Sequence, residues 1–268
     1  MPRNNMRDLS FATFNLFNLQ IPGGLTYSTT PPFEDSKEGR KAYENKVSWT
    51  AERIKLLDAE IIGFQELWAR EALVDVFNQA NLANDYDLIA RDAPGMGRPQ
   101  VALAVRKNRK GKSQIRPGAD WIANFPDSFR FDKLHETDGA EEEITVTINN
   151  FSRPILHAVV QSEGTRPKPP AVSIYVAHLK SKGPARLSFA HPRPVALQKY
   201  AKISKSAVSH IRRVMEAGAL RALLDGVMKS EDDDDISPTV LLGDLNDDTL
   251  AVTNELISDQ PTYRVIEK

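Results

Sequence analysis

Cysteine is absent from the 268-residue sequence, so neither disulfide bonds nor thiolate chemistry can contribute to structure or function. The charges nearly balance, because 35 Lys and Arg residues stand against 36 Asp and Glu residues, for a net charge of −1. This balance excludes a strongly cationic nucleic-acid binder but not a local basic cleft. No apolar run is long enough for a secretion signal or a membrane span. We therefore expect a soluble, cytoplasmic protein without a membrane span.

The apolar content of the chain is sufficient for a substantial core. Hydrophobic residues make up 41% of the sequence and charged residues 26%, and a chain of this length can form one large α/β domain. No internal repeat or low-complexity linker divides it, so we interpret residues 1–268 as a single domain. An acidic run at residues 231–235 predicts a solvated loop. Calcium binding by this run is the alternative, but the spacing of an EF-hand is absent.

Apolar runs predict the strands, and apolar residues at helical spacing predict the helices. The predicted strands are residues 9–16, 61–64, 86–90, 101–106, 144–148, 155–160, 172–179 and 239–242. The predicted helices are residues 40–58, 69–82, 195–228 and 250–257, and residues 20–38 form a loop. This order favours a layered α/β sandwich of two sheets packed face to face with helices outside. No GxGxxG motif is present to bind a dinucleotide.

Polar side chains lie at the ends of predicted strands. They are Asn15, Glu66, His178, Asp244 and Asn246. Strand ends are where layered α/β folds build their sites, because rigid backbone holds the side chains. Each residue alone has a structural explanation: an Asn or Asp can form a turn, a Glu can favour a helix start, and a lone His is more often structural.

Taken together, these side chains fit one kind of chemistry. Hard divalent cations prefer oxygen ligands, and one or two carboxylates with open positions suit Mg²⁺ or Mn²⁺. Hydrolysis of a phosphodiester needs charge neutralised on its non-bridging oxygens and on the departing oxygen. A metal, an imidazolium and amide donors can supply that neutralisation. The set therefore indicates metal-assisted phosphodiester chemistry.

The order of four motifs resembles the endonuclease/exonuclease/phosphatase superfamily. The motifs are Thr13-Phe14-Asn15-Leu16, Gly63-Phe64-Gln65-Glu66, His178-Leu179-Lys180-Ser181-Lys182 and Gly243-Asp244-Leu245-Asn246-Asp247. This superfamily includes pancreatic-type deoxyribonucleases, AP endonucleases, neutral sphingomyelinases and inositol-polyphosphate phosphatases. The resemblance extends from residue 9 to about residue 250. The His-Leu-Lys-Ser-Lys motif is most similar to bacterial nuclease-type members.

The resemblance implies a four-layered α-β-β-α sandwich of the deoxyribonuclease-like type, with the site at one end of the two sheets. It implies that Glu66 binds Mg²⁺ or Mn²⁺, with Asn15 beside it orienting water or phosphate at the metal. His178 would contact the scissile phosphate and stabilise the transition state. Asp244 would position the attacking water or protonate the leaving group, and Asn246 would hold phosphate and aspartate in register.

Basic residues near the motifs are candidates for a groove that binds the nucleic-acid backbone. Lys180, Lys182 and Arg98 could line such a groove, although residues of this kind are more often simply solvated. Arg153 is a similar case, and we expect it to open an interior strand.

The sequence departs from the family pattern in two places. Ala177 stands before His178 where many members have Asn or Thr, so one supporting hydrogen bond is expected to be absent. The family's late Ser-Asp-His element is also missing, since no histidine occurs after His210. Loss of a catalytic base of that kind lowers rates by about 10²–10⁴-fold. We expect a C-terminally incomplete domain that lacks its final strands, and favour a fragment over a frameshift or a degenerate member because the other motifs are intact.

The leading functional hypothesis is a Mg²⁺- or Mn²⁺-dependent nuclease that takes DNA or RNA as its substrate. The alternatives are a phosphatase or sphingomyelinase-like phospholipase of the same fold acting on a phosphorylated lipid or small molecule, because loops decide the substrate. A non-catalytic binding module that lacks the general base is the alternative from a different class. The oligomeric state cannot be inferred from the sequence.

Overall fold

The computed structural model describes a large part of the chain as two compact units. The described residues are 9–92, 98–108, 110–129, 134–135, 143–144, 148–161, 171–183, 185, 201–228, 238–248 and 251–258. The first unit is formed by the described parts of Met1–Trp121, Arg153–His178 and Ser237–Asp244, and the second by those of Ile122–Ser152, Leu179–Ile236 and Leu245–Lys268. The acidic run at 231–235, residues 145–147 of a predicted strand and residues 195–200 of a predicted helix lie outside this description. That the chain is a single domain stays a prediction.

Among the described elements, strands and helices alternate at the start and the end of the chain, and a series of consecutive strands lies between them. The strands are β1 (Phe11–Leu19), β2 (Ile61–Leu67), β3 (Tyr86–Ile89), β4 (Gln100–Arg106), β5 (Asp120–Asn124), β6 (Leu134–His135), β7 (Glu143–Ile144), β8 (Asn150–Val160), β9 (Val172–His178) and β10 (Thr239–Asp244). The helices are α1 (Lys37–Leu57), α2 (Arg70–Gln79), α3 (Ala201–Met228) and α4 (Val252–Ser258). Among the described residues, no helix is both long enough and apolar enough to cross a membrane.

The first sheet has the strand order β1-β2-β4-β3 and is covered on one face by α1 and α2. Strand β1 runs parallel to β2, whereas β4 runs antiparallel to both β2 and β3. Apolar side chains of the helices, including Val47, Ile54 and Phe77, pack with Phe64 of β2 in one buried cluster. Helix α1 begins after Ser36, whose hydroxyl accepts a hydrogen bond from the Gly39 N–H, a capping contact that satisfies a backbone donor of the first turn.

The second sheet has the strand order β10-β9-β8-β5, with β10 parallel to β9 and β8 antiparallel to it. Within the first unit, its inner face packs on the first sheet through a second apolar cluster that includes Leu103, Leu156 and Val176. The sheets approach closely at Gly63, where an added Cβ would lie 2.9 Å from the Leu242 Cβ. The first unit therefore contains helix, sheet and sheet in successive layers, and the predicted layered α/β sandwich of two facing sheets is confirmed for this unit.

The second unit is organised around α3. Helix α4 packs on α3, and the Arg221 guanidinium donates to the carbonyl of Ile257 at 3.4 Å. Three phenylalanines form an edge-to-face cluster in this unit. The ring centroid of Phe125 lies 5.8 Å from that of Phe129 and 4.9 Å from that of Phe151. The short strands β6 and β7 pair with each other.

The predicted elements agree with the structure in type and differ mainly at their ends. Strand β8 begins at Asn150 rather than at residue 155, so Arg153 lies inside the strand and does not open it. Strand β5 was not predicted, because its sequence is short and its side chains are exposed or only half-buried, which leaves no clear apolar alternation.

Candidate active site

Two side chains of the candidate site, Asn15 and Glu66, lie where the regular pairing of the parallel strands β1 and β2 ends; β1 itself continues past Asn15 to Leu19. Pairing of the two strands runs in register from Phe11 to Asn15, which is opposite Gln65, and then shifts before Leu19. In this irregular stretch the Asn15 Oδ1 accepts a hydrogen bond from the Phe17 N–H at 2.8 Å. The irregular stretch thus begins directly after Asn15 and includes Glu66, which follows Gln65.

Glu66 is held in place by the backbone of the same stretch. The Asn18 N–H donates to the Glu66 Oε2 at 3.0 Å, and the residues at this corner adopt left-handed backbone, with φ of 56° at Asn18 and 60° at Glu66. Backbone of this kind is unfavourable for side chains other than glycine and concentrates at functional sites. The carboxylate of Glu66 is therefore fixed by a strained and specifically hydrogen-bonded turn.

The other two side chains lie at the carboxyl ends of the parallel strands β9 and β10. His178 and Asp244 are register partners, the last pair of this ladder. Gly243, which precedes Asp244, has a φ of 154°, and a Cβ there would lie 2.1 Å from the Ala177 carbonyl oxygen. Glycine is thus required for the strands to pair up to Asp244. Ala177, the departure from the family pattern, is fully buried at this contact.

The two strand pairs bring their polar ends together within the first unit. The Asn15 Nδ2 donates to the Asp244 Oδ2 at 3.0 Å, and this hydrogen bond links one sheet to the other. The His178 Nε2 lies 3.9 Å from the Glu66 Oε1, which is too long for a hydrogen bond but places the two groups side by side. Four of the five predicted site residues, Asn15, Glu66, His178 and Asp244, therefore converge.

His178 is buried and favours its neutral form. Its side chain is 1% exposed, and burial, reinforced by the Arg153 guanidinium, lowers the pKa of His178 from 6.5 to about 2. Its Nδ1 has no hydrogen-bond partner among the described residues. A neutral imidazole offers one N–H donor. In this state His178 can donate a hydrogen bond to phosphate, but it does not supply the positive charge that an imidazolium would.

Arg153 connects the backbone of His178 to the loop after β1. Its Nη1 donates to the His178 carbonyl at 3.2 Å, and its Nη2 donates to the Tyr27 hydroxyl at 2.9 Å. Tyr27 packs edge-on against Trp68, and the Trp68 Nε1–H donates to the Asn18 Oδ1 at 2.9 Å. These contacts position both His178 and the Asn18 backbone that holds Glu66. The sequence offered no signal for them beyond the presence of an Arg beside a Pro.

Asn246 lies in the second unit, where its Nδ2 donates to the Leu179 carbonyl at 2.9 Å. Its φ is 55°, another left-handed position within a motif. The side chain therefore anchors the segment that follows His178 in the chain. The predicted catalytic role of Asn246 stays a prediction.

Helix α3 carries buried charges that sequence reasoning missed. Arg213 Nε pairs with the Asp247 Oδ2 at 3.0 Å, and their side chains are 4% and 8% exposed. The Glu216 carboxylate accepts the backbone N–H groups of Ser152 and Lys180, each at 2.8 Å. These contacts fix the segments that follow β9 and β10. Helical spacing predicted α3 but could not indicate which distant backbone its charges would meet.

The basic residues proposed for a groove have varied surroundings. The Lys182 ammonium lies 2.9 Å from the Asp248 carboxylate and 3.4 Å from that of Asp247, so its charge is already paired. The Lys180 ammonium donates to the Gly183 carbonyl at 3.1 Å. Arg98 is exposed in the first unit. Their contribution to a groove stays a prediction.

The donor set at the convergence of the strands fits a hard divalent cation. Glu66 supplies a carboxylate that is 19% exposed. Asp244 supplies a second carboxylate, whose Oδ2 accepts a hydrogen bond from the Asn15 side chain. No group of three or more acidic, histidine or cysteine side chains that could hold a metal occurs in the part of the chain that the structure describes. Mg²⁺ does not require such a group, because it commonly binds one or two carboxylates and keeps several water ligands.

Comparison with known proteins gives structural matches only. No family model matches the sequence, and no curated protein matches it. A solved endonuclease/exonuclease/phosphatase family protein from Bacteroides thetaiotaomicron is 15% identical, with a TM-score of 0.48, over 94% of this chain and 68% of that one.

Two further solved structures have the same kind of similarity. A mannosyl-6-phosphatase from Bacteroides thetaiotaomicron is 14% identical, with a TM-score of 0.47, over 94% of this chain and 71% of that one. The human Nocturnin catalytic domain is 12% identical, with a TM-score of 0.46, over 94% of this chain and 70% of that one. Fold similarity does not fix function, so the chemistry of this chain has to be argued from its own residues.

Proposed function

We propose that this chain hydrolyses phosphodiester bonds of nucleic acid with the help of Mg²⁺ or Mn²⁺. The observation that carries the proposal is the Asn15–Asp244 hydrogen bond, which joins the polar ends of two parallel strand pairs and sets Glu66 beside His178. A turn or a helix start would explain any one of these residues, but not their convergence. The order of the motifs in the sequence supports the same reading.

Each site residue would have a separate role in the hydrolysis. Glu66, with Asn15 beside it, would hold the cation, which when bound supplies charge neutralisation at the phosphoryl oxygens. His178 donates an N–H to a phosphoryl oxygen from a rigid, buried position. Asp244, oriented by the Asn15 amide, accepts a proton from the attacking water or delivers one to the departing oxygen.

The test compares substitutions that keep shape but remove function. We expect Asp244→Asn to lower kcat/KM for a nitrophenyl phosphodiester and for a DNA oligonucleotide by about 10²–10⁴-fold. Glu66→Gln should lower both by roughly 100-fold or more and weaken the dependence on Mg²⁺. Glu52→Gln, an exposed carboxylate of α1, is the matched control and should have no effect. Activity that survives a chelator, or that is equal in all four proteins, would contradict the proposal.

The choice of substrate separates the alternatives. Turnover of sphingomyelin or of a sugar phosphate in preference to DNA would indicate a phospholipase or phosphatase of the same fold. Metal-dependent binding of nucleic acid without turnover would indicate a binding module.

A further inference from the structure

A strip of aromatic rings and cations lies beside the candidate active site in the first unit. It consists of Phe17, Lys46, Trp49 and Arg53. Lys46, Trp49 and Arg53 occur at positions i, i+3 and i+7 of α1, so they share one helix face. The buried residues of α1, among them Val47 and Ile54, lie on another face. We refer to these four residues as the aromatic–basic strip.

Rings and cations contact one another within the strip. The Lys46 ammonium lies 5.7 Å from the Phe17 ring centroid and 5.5 Å from that of Trp49. The Arg53 guanidinium lies 5.4 Å from the Trp49 centroid. The order of groups is therefore ring, cation, ring, cation.

Phe17 is the least expected member of the strip. Its side chain is 76% exposed, and its φ is 52°, so a bulky apolar residue occupies left-handed backbone in contact with solvent. Left-handed backbone at a bulky residue lowers the stability of the fold. The Asn15 side chain fixes this conformation through its hydrogen bond to the Phe17 N–H. An exposed ring on strained backbone next to a site residue indicates a function in binding.

The strip adjoins the candidate site through the backbone of β1. The Phe17 N–H donates to the Asn15 Oδ1 at 2.8 Å, and the N–H of the next residue, Asn18, donates to the Glu66 Oε2 at 3.0 Å. A polyanion bound along the strip would thus pass close to Glu66.

We propose that the aromatic–basic strip binds single-stranded nucleic acid and delivers it to the candidate active site, an inference that rests on the proposed function and names its substrate class. Bases of a single strand expose faces that stack on rings, and the phosphates between them pair with cations. The alternation of Phe17, Lys46, Trp49 and Arg53 matches that chemistry. A lipid surface fits less well, because insertion of the rings would carry the cations that cover them towards hydrocarbon.

The experiment measures binding of a fluorescein-labelled ten-nucleotide oligothymidylate by anisotropy, in chelator so that hydrolysis cannot occur. We expect Trp49→Ala and Phe17→Asn each to weaken binding about tenfold. Asn tolerates left-handed backbone, so Phe17→Asn should melt at the same temperature as the wild type or higher while binding less well. Lys46→Gln should reduce the dependence of binding on salt.

Ile203→Ala, which removes an exposed apolar side chain of α3 in the second unit, is the matched control and should bind as the wild type does. Equal affinity for the wild type, Trp49→Ala and Phe17→Asn would overturn the proposal. So would loss of binding to phosphatidylserine vesicles in these variants with unchanged affinity for the oligonucleotide. Because the assay excludes turnover, an inactive enzyme that binds through the strip would refute the proposed hydrolysis and leave this inference intact.

Discussion

His178 couples the candidate site to the stability of the fold. Its pKa is lowered from 6.5 to about 2, so between these two values the unfolded chain binds the proton more readily than the folded chain does. The free energy of unfolding therefore rises with pH across that window. The contribution of His178 is complete above about pH 6.5 and is lost as the pH falls, by at most about 1.4 kcal/mol per pH unit for one group.

Replacement of His178 by Gln should remove this part of the pH dependence. We expect the wild type to lose more stability than His178→Gln when the pH is lowered from 7.5 to 5, although the wild type is the more stable protein at pH 7.5. Urea denaturation at the two pH values gives both free energies of unfolding. Equal losses of unfolding free energy in the two proteins would mean that the folded chain protonates His178 as readily as the unfolded chain does, contrary to the burial of its side chain.

At the scale of elements, α3 stabilises the segments after β9 and β10 through buried charge. Burial alone would raise the pKa of the Asp247 carboxyl, but hydrogen bonds from Thr253 and Arg213 outweigh it and lower the pKa to about 2. Because this pKa is depressed, the stabilisation is present above the ordinary value of 3.8 and is lost only as the pH falls through about 2. It should therefore be constant from pH 5 to pH 8.

Asp247→Asn should destabilise the protein by about 3–5 kcal/mol, because it leaves the buried Arg213 charge without its partner. Asp248→Asn is the matched control at the next position, where the side chain is 88% exposed and pairs with the solvated Lys182. It should have no measurable effect. Thermal and urea unfolding of the two variants at pH 7 measure the difference. Equal stability of both variants would show that the Arg213–Asp247 pair contributes little.

The elements and the residues at their ends differ in how far the sequence predicts them. Apolar runs before Glu66 and Asp244 predicted both strands and the polar residues that follow, because the local pattern carries that information. The left-handed backbone of Phe17 and Glu66 was not predictable, since it depends on hydrogen bonds with Asn15 and Asn18 that form only in the folded chain. Contacts of α3 were missed for the same reason: a helix pattern does not indicate which distant N–H groups Glu216 will meet.

At the scale of the whole molecule, close approach of the two sheets brings the site together within the first unit. Each sheet contributes a parallel strand pair, and Gly63 lets the sheets meet where a side chain would contact Leu242. The sequence predicted two facing sheets but not how the sheets align on each other. This alignment places Asn15 of one sheet within hydrogen-bond distance of Asp244 of the other. Cation binding at this position should therefore stabilise the association of the sheets.

A cation held at the strand ends should therefore raise the stability of the folded chain by mass action. At a Mg²⁺ concentration about 100 times its Kd, the gain for one site is about 2.7 kcal/mol. We expect the melting temperature of the wild type, and of the control Glu52→Gln, to rise with Mg²⁺ and return to its starting value with chelator. Glu66→Gln should show little or no rise, because its amide lacks the charge that binds a hard cation. A rise as large in Glu66→Gln as in the wild type would place the cation elsewhere, whatever the activity of the enzyme. The experiment thus tests the role of Glu66 separately from catalysis.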